Sequence, residues 1–186
     1  MDAYIDITLQ PDDEFPQHLL MDALIAKLHK ALVAEGSNSI GISFPQWRDG
    51  DYPTLGNIAR LHGARAKLNS LMQRDWLRGM RDHAQWHAPQ TVPTHHGYMQ
   101  VERSKTKSVE NMRKRAMRRH GYTLAQAEQR IPDTAGKYLT LPFTTQYSGS
   151  TGQRYRIFIS QRQVTAAGSG GFNTHALSAG SAIPLF

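Results

Sequence analysis

Residues 4–44, YIDITLQPDDEFPQHLLMDALIAKLHKALVAEGSNSIGISF, hold the strongest fold signal in the chain. Ile5, Ile7 and Leu9 alternate with polar residues, the period of a strand buried on one face. Residues 11–15 make a loop. Pro16 suits the first turn of a helix, and Leu20, Leu24, Leu28, Ala31 and Leu32 then recur at helical spacing until Gly36 stops it. Ile40, Ile42 and Phe44 alternate again, and Pro45 ends that second strand. Beyond this stretch, residues 48–53 are polar and turn-rich, and 55–62 predict a third strand paired to the second. Residues 66–72 and 76–86 read as helical, and 91–93 and 98–103 as extended.

The order strand, helix, strand, strand, helix, strand is the ferredoxin-like pattern. The expected class is therefore α+β. A ferredoxin-like (RRM-like) domain occupies residues 1–97, and a smaller C-terminal α+β domain occupies 98–186. The second domain carries an arginine-rich helix, a short helix after Thr123, strands at 137–145 and 155–160, and a Gly/Ser-rich tail. Thr123 and Gln126 stand at capping-box spacing.

The charge is as localised as the fold signal. The chain has 22 Lys+Arg against 15 Asp+Glu, a formal net charge of +7. Arg103, Lys105, Lys107, Arg113, Lys114, Arg115, Arg118 and Arg119 crowd into residues 103–119 against Glu110 alone, so this segment equals the whole net charge. Between the N-cap candidate Ser108 and the stop Gly121, helical spacing gathers Lys114, Arg115, Arg118 and Arg119 on one side. Val109, Met112 and Ala116 lie opposite. Solvated helix faces usually mix signs at i,i+4. This ridge reads as free of acid and so as a seat for a polyanion, nucleic acid first. An anionic membrane is disfavoured, because the helix lacks a bulky apolar face.

The chain has no cysteine, which removes disulfides, thiolate catalysis and cysteine-based zinc sites and suits a cytoplasmic protein. The N-terminus shows no basic, apolar leader, and no stretch approaches the roughly 20 apolar residues of a membrane span. GxSxG, P-loop and HExxH motifs are missing. Of nine histidines, none stands out by composition. His29 lies on the flank of the first helix's apolar face, where a packed histidine is the ordinary reading. His95 and His96 have no carboxylate at ligand spacing, so no metal site is expected. Residues 147–153, YSGSTGQ, form a small-residue loop with hydroxyls at Ser148, Ser150 and Thr151, suited to a hairpin or to close approach of a ligand. Tyr155 shares a strand face with Ile157 and Ile159 and can pack or stack on a base.

The blocks MDAYIDITLQPDDEFP, KLHKALVAEG, IGISFP, LGNIARLHG, MRRH, RIPDT, LPF, STGQRYRIFI and the ending GGF, ALSAG and PLF carry a resemblance over nearly the whole chain. The chain resembles the CRISPR repeat-processing endoribonuclease of type I-F systems. That resemblance implies a ferredoxin-like domain followed by a domain whose arginine-rich helix enters the groove of a repeat RNA hairpin. It implies cleavage of precursor CRISPR RNA at the 3′ base of the hairpin, without metal or cofactor. The 2′-hydroxyl attacks the adjacent phosphate, leaving a 2′,3′-cyclic phosphate and a 5′-hydroxyl. It also implies that the mature guide RNA is retained and handed to Cascade-like interference-complex subunits.

By position, the resemblance makes His29 the catalytic histidine. Ser148 becomes the serine holding the 2′-hydroxyl, with Ser150 in the same pocket. Arg115, Arg118 and Arg119 become groove arginines, beside the RNA-binding Lys107, Lys114 and His120 of the basic segment. Arg103 becomes the reader of a guanine, and Tyr155 the ring under the closing base pair. Two positions depart from the family pattern. Lys105 stands where a glutamine is expected, and lysine prefers guanine or phosphate. His175 stands where a tyrosine orients the catalytic histidine, so it either takes over that role or acts as a general acid. A non-cleaving RNA binder of the same fold is the nearest rival, and a duplex-DNA-binding module a more distant one.

Overall fold

The computed structural model describes residues 1–105, 108–136 and 139–186. Lys107 and the start of the strand expected from residue 137 lie outside them. The chain forms two compact units, residues 1–103 with 141–186, and residues 104–140.

The first unit begins with β1 (Ala3–Leu9), α1 (Gln17–Glu35), β2 (Gly41–Ser43), β3 (Ile58–Gly63), α2 (Arg65–Gln73) and β4 (Ala84–Trp86). Their antiparallel sheet has the order β2-β3-β1-β4, and β5 (Gln90–Thr91) pairs the start of β1. This is the ferredoxin-like arrangement, with the first and third strands central. Register follows burial. Ala3, Ile5, Ile7 and Leu9 are buried, while Tyr4, Asp6 and Thr8 between them are half-buried. Facing them, α1 buries Leu20, Met21, Leu24, Ile25, Leu28, Ala31 and Leu32. It ends where Gly36 turns left-handed (φ 64°) and its N–H reaches back to the Leu32 and Val33 carbonyls.

One expected element is corrected. Residues 76–86 are not a helix; they form turns leading into β4, which supplies the fourth strand of the sheet. Leu77, Met80 and Ala84 are buried at helix-like spacing, but Gly79 sits at φ 77°, and that left-handed residue breaks any helix through it.

A second sheet of the same unit has the order β11-β6-β8-β7, formed by β6 (Tyr98–Ser104), β7 (Phe143–Tyr147), β8 (Arg154–Val164) and β11 (Ile183–Pro184). The Gly/Ser-rich tail supplies β11 and the pair β9 (Gly168–Phe172) and β10 (Ser178–Ser181). Its glycines permit the close approach: a Cβ on Gly170 would collide with the Ala179 carbonyl. Val101, Ile157, Ile159, Phe172 and Ile183 join Ile5, Ile7 and Leu61 in one hydrophobic core. Compactness therefore does not break at residues 97–98, because both sheets bury their apolar faces together.

The remaining unit holds α3 (Val109–His120), α4 (Leu124–Arg130) and a 3-10 turn (Asp133–Ala135). Local signals build it. Ser108 Oγ accepts from the Asn111 N–H, Gly121 caps at φ 70°, and Thr123 and Gln126 form the reciprocal capping box. None of the described α3 residues is buried. Arg113 ties α3 to the segment after α4, donating to the Ile131 carbonyl (2.9 Å) and to Asp133 (2.9 Å). No described helix is long and apolar enough to cross a membrane.

His62 on β3 is a buried titratable group. Its Nε2 meets Ser43 Oγ at 2.9 Å, and its Nδ1 is buried without a partner among the described residues. Burial first, then the Arg60 charge, push its pKa down to about 3. The folded protein keeps this ring neutral, whereas the unfolded chain protonates it at an ordinary histidine pKa. Its stabilising effect is complete above that ordinary value and is lost as pH falls toward 3. The expected melting temperature is flat above about pH 6.5 and declines as the medium is acidified; His62→Gln should flatten the decline in a thermal-melt series against pH.

Candidate active site and basic helix

Two histidines far apart in sequence meet in the first unit. His29 lies on α1, and its Nδ1 is 2.9 Å from the Thr174 backbone carbonyl. A carbonyl only accepts, so this contact places the ring proton on Nδ1 and leaves Nε2 with a free lone pair. The His175 ring stacks on the His29 ring, with centroids 3.9 Å apart and planes 13° from parallel. His175 Nε2 is buried without a partner among the described residues. Its pKa is lowered to about 4 by burial, then by the His29 and Arg103 charges. At neutral pH this ring is uncharged.

The turn after β9 sets both contacts. Asn173 Oδ1 accepts from the His175 N–H (2.8 Å) and the Leu177 N–H (3.2 Å). The Ala176 N–H returns to the Asn173 carbonyl (2.8 Å), and the Asn173 N–H donates to the Leu177 carbonyl (2.8 Å). Ala176 takes a left-handed φ of 59°, and its carbonyl accepts from the Ile42 N–H of β2 (2.9 Å). A non-glycine residue in that region is held by its surroundings. Ile25, Phe44, Ile157 and Leu177 line a small apolar space together with His175.

Ser148 and Ser150 form a second pair, in the loop joining β7 to β8. Their hydroxyls are 3.1 Å apart. Ser148 Oγ also accepts from the Thr151 N–H (3.2 Å), and its carbonyl from the Gly152 N–H (2.8 Å). The serine hydrogen bonds thus stay within their loop. Tyr155 on β8 is half-buried against the core, and the Arg103 guanidinium of β6 lies over its ring at 5.8 Å. Arg103 therefore acts on both Tyr155 and His175.

The basic helix exposes Lys114, Arg115, Arg118, Arg119 and His120. Lys105, ahead of it, is exposed as well. The expectation of a ridge without acid is corrected at one position: Lys114 Nζ pairs with Glu110 at 2.6 Å, an i,i+4 contact. The pair is exposed and therefore weak, but it offsets the one charge of Lys114. Among the described residues, Arg115, Arg118 and Arg119 have no acidic partner. His120 stacks on Tyr122 (5.2 Å, 22°), and Arg130 lies over the same ring at 4.6 Å. Among the described residues no group of three or more His, Asp or Glu is placed to hold a metal ion.

Sequence reading missed Asn173 and Thr174. The available signal was Asn173 two residues before His175, the spacing of an Asx turn. Nothing in sequence places that turn beside α1.

Residues 4–186 match the family described as CRISPR-associated protein (Cas_Csy4). The chain belongs to this family. It is 47% identical over 189 aligned residues to the CRISPR-associated endonuclease Cas6/Csy4 of Pseudomonas aeruginosa (strain UCBPP-PA14), covering 100% of both chains. It is 34% identical, again over 100% of both, to the CRISPR-associated endonuclease Cas6/Csy4 of Escherichia coli (strain UTI89 / UPEC). In this Cas_Csy4 chain the stacked histidines, the serine pair and the arginine helix come from different elements, so each is open to separate substitution.

Proposed function

We propose that this chain is an endoribonuclease that binds a CRISPR repeat hairpin and cuts precursor CRISPR RNA at the hairpin's 3′ base. The observation that carries this reading is the His29 imidazole, held through Nδ1 on the Thr174 carbonyl with Nε2 free. In the proposed step Nε2 removes the proton of the 2′-hydroxyl preceding the cut. The freed oxygen bonds to the adjacent phosphorus, and the bond from phosphorus to the 5′-oxygen breaks. That oxygen takes up a proton from water, giving a 2′,3′-cyclic phosphate and a 5′-hydroxyl, and His29 returns its proton to solvent. The reaction is proposed as metal-independent, with proton transfer carried by a side chain.

Ser148 holds the 2′-hydroxyl, and Ser150, hydrogen-bonded to it, shapes the same pocket. His175 serves as the platform that holds the His29 ring. Its low pKa leaves few molecules protonated at neutral pH, which favours this role over that of general acid. Arg103 reads a guanine at the stem base, Lys105 a guanine or phosphate, and Tyr155 carries the closing base pair. Arg115, Arg118, Arg119 and His120 grip the stem, with Lys107 and Lys114 adding charge. The product hairpin stays bound as the 3′ end of the mature guide RNA, and interference-complex subunits are its proposed partners in the cytoplasm.

Incubation of the cognate repeat RNA in excess EDTA tests the reading. Cleavage that a single 2′-deoxy substitution at the scissile nucleotide abolishes is expected. Tight binding without cleavage would leave a hairpin-binding protein instead.

Asn173 takes a positioning role. Asn173→Ala removes the acceptor that shapes the 173–177 turn, and a reacting group misplaced by about an ångström loses roughly 10- to 100-fold in rate. Single-turnover cleavage should fall by that factor with hairpin affinity unchanged. Asn173→Asp, which keeps the acceptor, should restore most of the rate. Equal loss in both variants would remove the hydrogen bonds from the explanation.

A further inference from the structure

The neutral balance outside residues 103–119 hides a second basic place. Residues 143–164, FTTQYSGSTGQRYRIFISQRQV, contain Arg154, Arg156 and Arg162 and no acidic residue. In the β7–β8 ladder, Thr144, Gln146, Ile157 and Ile159 face the core. The opposite face sets Phe143, Thr145 and Tyr147 across from Phe158, Arg156 and Arg154. Phe143 is 37% exposed and Tyr147 62%.

The arginines on this face are held by rings rather than by acids. The Arg156 guanidinium lies 4.4 Å from the Phe143 centroid, and that of Arg154 5.0 Å from the Tyr147 centroid. Arg154 Nε donates to the Tyr147 hydroxyl at 2.5 Å, and the Phe143 and Phe158 rings meet at 5.4 Å. Among the described residues the one carboxylate bonded to this ladder is Asp22, whose Oδ1 accepts from the Thr145 backbone N–H at the strand edge (2.9 Å). The positive charge on the face is therefore oriented but not neutralised.

We propose that this outer face of the β7–β8 hairpin binds single-stranded RNA, namely the strand on the 3′ side of the cut. Alternating rings and guanidinium planes are the chemistry on which unpaired bases stack, while the same guanidiniums meet phosphates. An acidic protein surface would use the charges and leave the interleaved rings idle, so RNA fits the face better. The place fits as well. The two strands are joined by the loop that carries Ser148, and RNA leaving the cut starts there. Stacking reads no base edges, so the face accepts any flanking sequence. This inference rests on the assignment of Ser148 in the proposed function.

Fluorescence anisotropy with a 2′-deoxy, uncleavable hairpin tests it. One RNA ends at the cut position, and the other continues in a run of uridines. The extension should tighten binding to the wild type about tenfold, the effect of one stacked base with its phosphate. The gain should vanish in Arg154→Gln/Arg156→Gln, while affinity for the unextended hairpin, which also reports that the variant is folded, stays unchanged. An extension that adds nothing to the wild type overturns the proposal. So does a double variant that keeps the gain or weakens on both RNAs alike. Cleavage of the extended RNA with its 2′-hydroxyl restored reports separately on the proposed function. Its failure would remove that reading and leave the binding increment to judge the face.

Discussion

Replacing His29 by alanine is expected to slow single-turnover cleavage by roughly 10²- to 10⁴-fold, the usual share of a positioned base, and to leave hairpin binding nearly intact. The ring makes its contacts inside the protein, to the Thr174 carbonyl and the His175 ring, so removing it takes away no basic groove residue. His175 should add no descending limb near neutrality, because burial above all holds its pKa near 4. A His175→Phe variant keeps a ring under His29 and should retain most of the activity. Cleavage at the wild-type rate by His29→Ala would end its assignment as the base. A lost alkaline limb in His175→Phe would make His175 an acid after all.

Neutralising Arg115, Arg118 and Arg119 together as glutamines is expected to weaken hairpin binding by more than about 100-fold, since each bidentate contact is worth about 1–3 kcal/mol. The slope of log affinity against log salt should shrink by about 0.7 to 0.9 for each phosphate no longer touched. Lys114→Gln alone should cost much less, because Glu110 already holds that ammonium at 2.6 Å. Titrations at several salt concentrations measure both quantities. At saturating protein the triple variant should still cut, because the proposed base and serine pair lie outside α3. An unchanged salt slope would show that these arginines do not reach phosphate. Together the two experiments separate gripping from cutting.

Three features were legible because their signals are local. The alternation of Ile5, Ile7 and Leu9 marks β1, and the spacing of Leu20, Leu24, Leu28 and Leu32 marks α1. Ser108, Gly121, Thr123 and Gln126 mark the ends of α3 and α4, because a cap bonds to backbone within four residues. The Glu110–Lys114 pair is equally local, but a projection of the basic side of the helix alone leaves Glu110 out. Residues 76–86 misled for the opposite reason. Their apolar spacing mimics a helix, while Gly79 and the demand of β1 for a neighbour decide otherwise.

The helices, their caps, the central strands and the basic segment are thus written in the chain itself, each within a few neighbouring residues. Packing was needed to make a strand of residues 183–184, because they pair with remote backbone: Ile183 lies opposite Met99. Packing also brought the Thr174 carbonyl to His29 across 145 residues and laid His175 on the same ring. Pairing with β7 set rings instead of acids against Arg154 and Arg156. Such contacts depend on which sheet faces are buried together, and burial is a property of the folded chain rather than of any short stretch of it.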